Sequence, residues 1–126
     1  MKPEFQVGLS AELTEETTES HAAPHLGSGG TSFYSTPAMI ALMERTSIQA
    51  LQPYLQEGES SVGVKVNVSH IAATPIGQKV RCQVTVEAIH GRRITFAIEA
   101  YNEKEKIGEG THERVLISVQ RFASKT

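Results

Sequence analysis

Glu44 and His70 are the residues from which chemistry would start. Glu44 follows six consecutive apolar residues, Ala38 to Met43, in a segment patterned as a helix. A carboxylate at that point either emerges into solvent, as the neighbouring Arg45 and Thr46 allow, or needs a partner, because burying it alone would shift its pKa. His70 continues the even-numbered phase of Val62, Val64, Val66 and Val68, which puts an imidazole on the strand face expected to meet the helix unless a β-bulge near Ser69 turns it outward. One core histidine is ordinarily satisfied by a backbone carbonyl, but two ionisable groups on facing apolar surfaces point to a functional site. Thr36 supplies a hydroxyl at a helix start, where backbone N–H groups and the dipole favour negative charge, although a plain N-cap explains it equally. Thr36 and Glu44 are eight residues apart, roughly 12 Å along one helix at about 1.5 Å per residue, so they cannot hydrogen-bond within one chain. Water, substrate or a second subunit with an antiparallel helix must join them, and a dimer is the favoured solution.

The elements that hold these groups follow from patterning. Thr36-Pro37 signals a helix start, and a helix is expected from Pro37 to about Leu55, with Pro53 blurring its end. Its first two turns, AMIALM, are apolar on every side, so that part should be buried. Before it, LSAELTEETT (Leu9 to Thr18) is compatible with a first strand, and HAAPHLGSGGTS (His21 to Ser32) is a loop. After it, alternation marks a strand with Val62, Val64, Val66 and Val68 on one face and Gly63, Lys65, Asn67 and Ser69 on the other. A second alternating run carries Val80, Cys82, Val84 and Val86, His90-Gly91 closes a tight hairpin, and strands through Ile94 to Ala100 and Ile107 to Val119 complete the set. Short consecutive connections predict an antiparallel four-strand meander with an earlier fifth strand. The expected fold is α+β, a single domain over residues 1–126 whose sheet curls around one long central helix.

Composition narrows the function. The 126 residues suffice for one core, and 39% hydrophobic with 21% charged residues is ordinary for a globular chain. A net charge of -2 provides no basic field for gripping nucleic acid. The longest apolar run is far below the roughly 20 residues that span a bilayer, so no membrane association is expected. A lone cysteine, Cys82, and an opening segment without a signal-peptide apolar run favour a cytoplasmic location. No Cys/His cluster suggests a metal site and no GxGxxG or P-loop pattern occurs. Lys65, Arg92, Arg93 and Arg114 are scattered cations that could hold the phosphates of a nucleotide-like carrier or simply line solvated strand faces. Gly108 and Gly110 inside the last strand suggest a bulge or a close backbone approach.

The run TPAMIALMERTSIQALQPYLQEGESSVGVKVNVSHIAATPIGQKV, followed by HGRRITFAIEAYNEKEKIGEGTHERVLI, resembles the hot-dog-fold thioesterases, most of all their fluoroacetyl-CoA thioesterase-like subfamily. The resemblance covers Thr36 to about Ile117, with LME, SHIAATPIG and GEGTHERV as its most telling stretches. It implies a hot-dog fold, a homodimer with sites at the subunit interface, and a catalytic set that falls on Thr36, Glu44 and His70. It also implies Gly63 and Arg114 as substrate-pocket residues. The subfamily's fluoroacetyl-specific member has a longer segment before the helix with phenylalanines over the acyl group; here the shorter LGSGGTSFYS keeps Phe33 and Tyr34, and Phe33 is the residue expected to touch the acyl group. Fluoroacetyl selectivity is therefore not implied.

The expected activity is hydrolysis of a small acyl-CoA thioester, with no cofactor because coenzyme A enters as part of the substrate. Glu44 would be general base or nucleophile, His70 would polarise the thioester or assist proton transfer, and Thr36 would position or attack. The rival from another class is a non-catalytic module that binds acyl-CoA or a small acid, since fold does not fix function. A hot-dog dehydratase or hydratase is disfavoured because its usual Asp/His helix motif is missing.

Overall fold

The structure is a computed structural model, and it describes residues 1–124. Five strands, β1 (Ser10–Glu16), β2 (Glu59–His70), β3 (Lys79–His90), β4 (Arg93–Tyr101) and β5 (Lys106–Ser118), form one sheet in the order β1-β3-β4-β5-β2, every neighbouring pair antiparallel. One long helix, α1 (Thr36–Leu51), packs on the sheet, and a short α2 (Val119–Ser124) closes the described chain. The expected architecture of a curled antiparallel sheet around one helix is present. The expected four-strand meander is not. Only β3, β4 and β5 follow one another, whereas β2 lies at the far edge on β5, because residues 71–78 carry the chain across to β3 instead of turning back.

Helix α1 starts one residue earlier than expected, and its cap is Ser35, whose side chain accepts a hydrogen bond from the Ala38 N–H at 3.2 Å. Thr36 is thus the first helical residue and not the cap, so its hydroxyl is free for other use. Met39, Leu42, Met43, Thr46, Ala50 and Leu51 recur at helical spacing and are buried against the sheet. The two hydroxyls on that face, Thr46 and Ser47, donate to the carbonyls of Leu42 and Met43 at 2.7 and 2.9 Å and so carry no unpaired donor into the core. The helix ends at Leu51 and continues as a single 3-10 turn over Gln52–Tyr54, because Pro53 lacks an N–H for the α-helical ladder. The sheet's share of the core is regular: Val80, Cys82, Val84 and Val86 of β3 and Ile94, Phe96, Ile98 and Ala100 of β4 are buried in strict alternation. Gly108 of β5 meets the helix so closely that a Cβ there would lie 2.5 Å from Met39 Sδ, which explains the absence of a side chain at this point.

Strand β2 departs most from its pattern. Val64 and Val66 are 47% and 42% exposed, not buried as the alternation suggested. A register shift between Gly63 and Lys65 places Val64 in a bulge and changes the strand's phase there. Ser61 and Gly63 pair with Leu116 and Arg114, whereas Val66 pairs with His112, and those three β5 residues are buried on the helix side. Gly63 therefore shares the helix-facing surface with His70, contrary to the simple alternation, and Val62 does not. As the sheet's edge, β2 also runs where α1 gives little cover.

Candidate active site

The sequence-predicted residues form two clusters at different points along α1. Thr36 Oγ1, at the helix start, lies 2.8 Å from Nδ1 of His70, the last residue of β2. No β-bulge near Ser69 turns it outward; the register runs unbroken from Lys65 to His70, and the imidazole stays on the helix side, as the even-numbered phase suggested. Burial holds the His70 pKa below its ordinary value, so the ring is neutral near pH 7. Its Nε2 is buried and has no hydrogen-bond partner among the described residues, which leaves one polar atom of the ring uncommitted. Both residues line a cleft of about 340 Å³ together with Phe33, Tyr34, Ser35 and Ile71. Phe33, 41% exposed, lines this cleft.

Glu44 belongs to the second cluster. Its Oε2 lies 3.6 Å from Nη1 of Arg114, and its side chain is 41% exposed whereas that of Arg114 is 6% exposed. The choice between a solvated and a partnered carboxylate resolves into both, one carboxylate face against a buried guanidinium and the other toward solvent. Arg114 is fixed by Ser61, donating through Nε to the Ser61 hydroxyl at 2.8 Å and through Nη2 to its carbonyl at 3.2 Å. Gly63 packs directly on the pair: a Cβ there would lie 3.0 Å from Glu44 Oε2 and 3.1 Å from Arg114 Nη1. A methyl group at Gly63 would require the carboxylate, the guanidinium or the His112 ring to give by a few tenths of an ångström.

His112 was not singled out from the sequence, yet it completes this cluster. It is 1% exposed, its Nδ1 lies 2.8 Å from the Lys65 carbonyl oxygen, and its Nε2 lies 3.2 Å from Arg114 Nη1. A carbonyl can only accept, so Nδ1 carries the proton and Nε2 presents a lone pair to the guanidinium. Burial, aided by the Arg114 charge and opposed by the Lys65 carbonyl, lowers the His112 pKa and keeps the ring in that neutral form. The signal was available: His112 and Arg114 are two polar residues in the same phase as the apolar Leu116, inside the GEGTHERV stretch.

The two clusters do not meet within one chain. Glu44 is about two turns of helix from Thr36, roughly 12 Å, and Gly63 is six to seven strand residues from His70, roughly 20 Å at about 3.3 Å per residue. Among the described residues, no three His, Cys, Asp or Glu side chains are grouped so as to hold a metal ion. No helix among them is long and apolar enough to cross a membrane.

A curled antiparallel sheet on one helix, bearing a hydroxyl–imidazole pair at the helix start and a carboxylate–guanidinium pair eight residues on, defines a hot-dog protein of the thioesterase class. The model of the fluoroacetyl-CoA-specific thioesterases matches residues 17–120, and the chain belongs to that family. It is 38% identical over 92 residues to the fluoroacetyl-CoA thioesterase of Streptantibioticus cattleyicolor, a match spanning 73% of this chain and 66% of that protein, just short of two thirds of its length. Among solved structures, a variant of the fluoroacetyl-CoA-specific thioesterase in complex with fluoroacetate and CoA superposes with a TM-score of 0.89 at 31% identity, covering 94% of this chain and 99% of that one. A hot-dog-like protein from Thermanaerovibrio acidaminovorans gives 0.88 at 26% identity, covering 96% and 90%.

Proposed function

We propose that the protein hydrolyses small acyl-CoA thioesters as a homodimer, each site being assembled from Thr36 and His70 of one copy and Glu44, Gly63 and Arg114 of the other. The observation that carries this reading is the division of the site. Each chain holds a hydroxyl–imidazole half and a carboxylate–guanidinium half, too far apart to act on one bond, at the two ends of a helix surface bordered by the unpaired edge of β2. Antiparallel pairing of two copies along β2 would cover the exposed Val64 and Val66 and set unlike halves opposite each other.

In that arrangement the neutral His70 directs one nitrogen at the Thr36 hydroxyl and leaves Nε2 for the thioester carbonyl oxygen, where negative charge develops. Backbone N–H groups of the first turn of α1 add to that stabilisation. Glu44, held by Arg114 and open to solvent on its other side, takes the proton of an attacking water or attacks the acyl carbon itself. The C–S bond then breaks, the thiolate leaves and is protonated, and the acid is released, directly or after hydrolysis of an acyl-enzyme. The Gly-rich stretch before Phe33 borders the cleft that holds Thr36 and His70, and its sequence carries no reason to assign a fluoroacetyl preference.

The test is thiol release from a panel of acyl-CoA esters by the wild type and Glu44→Ala. Loss of turnover by at least about a hundredfold is expected for the variant, the usual contribution of a positioned acid–base group. Full activity in the variant would remove Glu44 from the mechanism, and saturable CoA-ester binding without turnover by the wild type would establish a binding module instead.

A further inference from the structure

We infer that the cleft between the β3–β4 hairpin and the C-terminal helix α2, bounded by Arg92 and Arg121, holds the phosphates of the nucleotide end of a coenzyme A ester. The ligand's identity rests on the thioester reading above; the site itself rests on the charge inventory of the chain. Of six arginines, Arg45, Arg81, Arg93 and Arg114 each lie within an ion pair with a glutamate. Arg92 and Arg121 have no carboxylate within ion-pair distance among the described residues, and both line the same cleft of about 240 Å³ with Leu116, Ser118 and Phe122. Of the four cations singled out from the sequence, Lys65 and Arg93 share Glu113, and Arg114 is buried against Glu44. Arg92 alone is left over, and the fold brings Arg121 to it.

The details suit a phosphate. Arg92 donates through Nη1 to the Leu116 carbonyl at 3.2 Å, which fixes the guanidinium at the cleft wall and leaves its other N–H donors to a ligand. Glu59, the carboxylate on which the Arg92 charge acts, is already paired with the Met1 ammonium at 2.6 Å, so it does not neutralise the cleft. Ser118 contributes a hydroxyl, and Phe122, 45% exposed, offers an aromatic face on which an adenine ring can stack. The cleft also adjoins the proposed site. Leu116, on its wall, pairs in the sheet with Ser61, the residue that holds Arg114. It starts two residues along β5 from Arg114, roughly 7 Å at about 3.3 Å per residue. A carrier with its sulfur near Glu44 would thus extend its polar end toward two unpaired guanidinium groups.

The test compares wild type with the double variant Arg92→Gln/Arg121→Gln in calorimetric titrations with CoA, with pantetheine, and with adenosine 3′,5′-diphosphate, followed by KM measurements on acetyl-CoA and acetyl-pantetheine. Wild type should bind CoA much more tightly than pantetheine, with an affinity that falls as salt is raised. The double variant should lose at least about tenfold in CoA affinity, the scale of one or two charge-assisted hydrogen bonds. It should lose adenosine 3′,5′-diphosphate binding equally, its KM for acetyl-CoA should rise in step, and pantetheine binding and acetyl-pantetheine KM should stay put. Equal CoA affinity in the two proteins would overturn the assignment, and so would inorganic phosphate displacing CoA as well as adenosine 3′,5′-diphosphate does. Because the titrations need no turnover, a wild type that binds CoA through these arginines but hydrolyses nothing would refute the thioesterase reading and leave this one standing.

Discussion

Two inactive variants of this protein should restore each other. In Thr36→Ala the hydroxyl half is lost and Glu44 is intact; in Glu44→Ala the reverse holds. If the site were built within one chain, mixing them would achieve nothing, since each chain would keep its own defect. The roughly 12 Å between Thr36 and Glu44, set by eight helical residues at about 1.5 Å each, is several times a hydrogen bond, so the two cannot touch within one chain and the proposed site draws them from two. In a two-fold dimer, a mixed pair holds one site with both defects and one with neither. Random reassociation makes about half of all dimers mixed, so a one-to-one mixture should reach about one quarter of wild-type activity per chain. Each parent alone should retain no more than about 1%, given the usual contribution of such groups. The assay is thiol release from acetyl-CoA after co-expression with two affinity tags, and tandem purification of mixed dimers should raise the yield to about half of wild type. Purified mixed dimers no more active than the parents would refute the shared-site reasoning.

Replacing His112 by Phe removes the partner of the part-buried Lys65 carbonyl and leaves Arg114 Nη1 with Glu44 alone, which should cost about 1–3 kcal/mol in all in a urea titration and lower kcat through misplacement of Glu44. His112→Gln, whose amide both donates and accepts, should recover much of both quantities. Gly108→Ala places a methyl group 2.5 Å from Met39 Sδ and should lower stability by about 1–3 kcal/mol, partly relieved in the double variant with Met39→Ala. The pH dependence follows from His70 and His112, whose folded-state pKa values both lie below the ordinary 6.5. The unfolded chain then binds more protons than the folded one near and below pH 6.5, so this contribution to stability is fully present above that pH and is lost as pH falls toward the folded values. Thermal melts of the wild type from pH 8 to pH 5 should show the decline, and it should be shallower in His112→Gln.

The helix and the central strands were legible because burial there obeys one rule at a time: α1 buries one face, and β3 and β4 bury every second residue. Strand β2 was misread for a local reason. An alternating string of valines cannot reveal that Val64 sits in a bulge, nor that an eight-residue connection takes the chain to the other side of the sheet. Glu44 and His70 stood out as ionisable groups in apolar runs; His70 lies on the helix side of the sheet, whereas Glu44 stands partly exposed beside Arg114 in a separate cluster. His112 was hidden by its neighbours, since THER reads as a polar stretch until the register shows that His112 and Arg114 face inward. Gly63 illustrates the limit of pattern alone: strict alternation put it on the opposite face from His70, and only the bulge brings it against Glu44.

The capping of α1 has a consequence for how this protein can change. Two hydroxyls stand side by side at the helix start, and they divide the labour: Ser35 completes the helix, while Thr36 faces His70 and contributes nothing to the cap. A substitution at Thr36 leaves the helix entrance intact, whereas one at Ser35 loosens it without touching the hydroxyl that faces His70. The side chain at this position is therefore interchangeable in a way that core residues are not. Threonine, serine or a side chain without a hydroxyl can be tried there by mutation, with the fold held constant by the residue next to it.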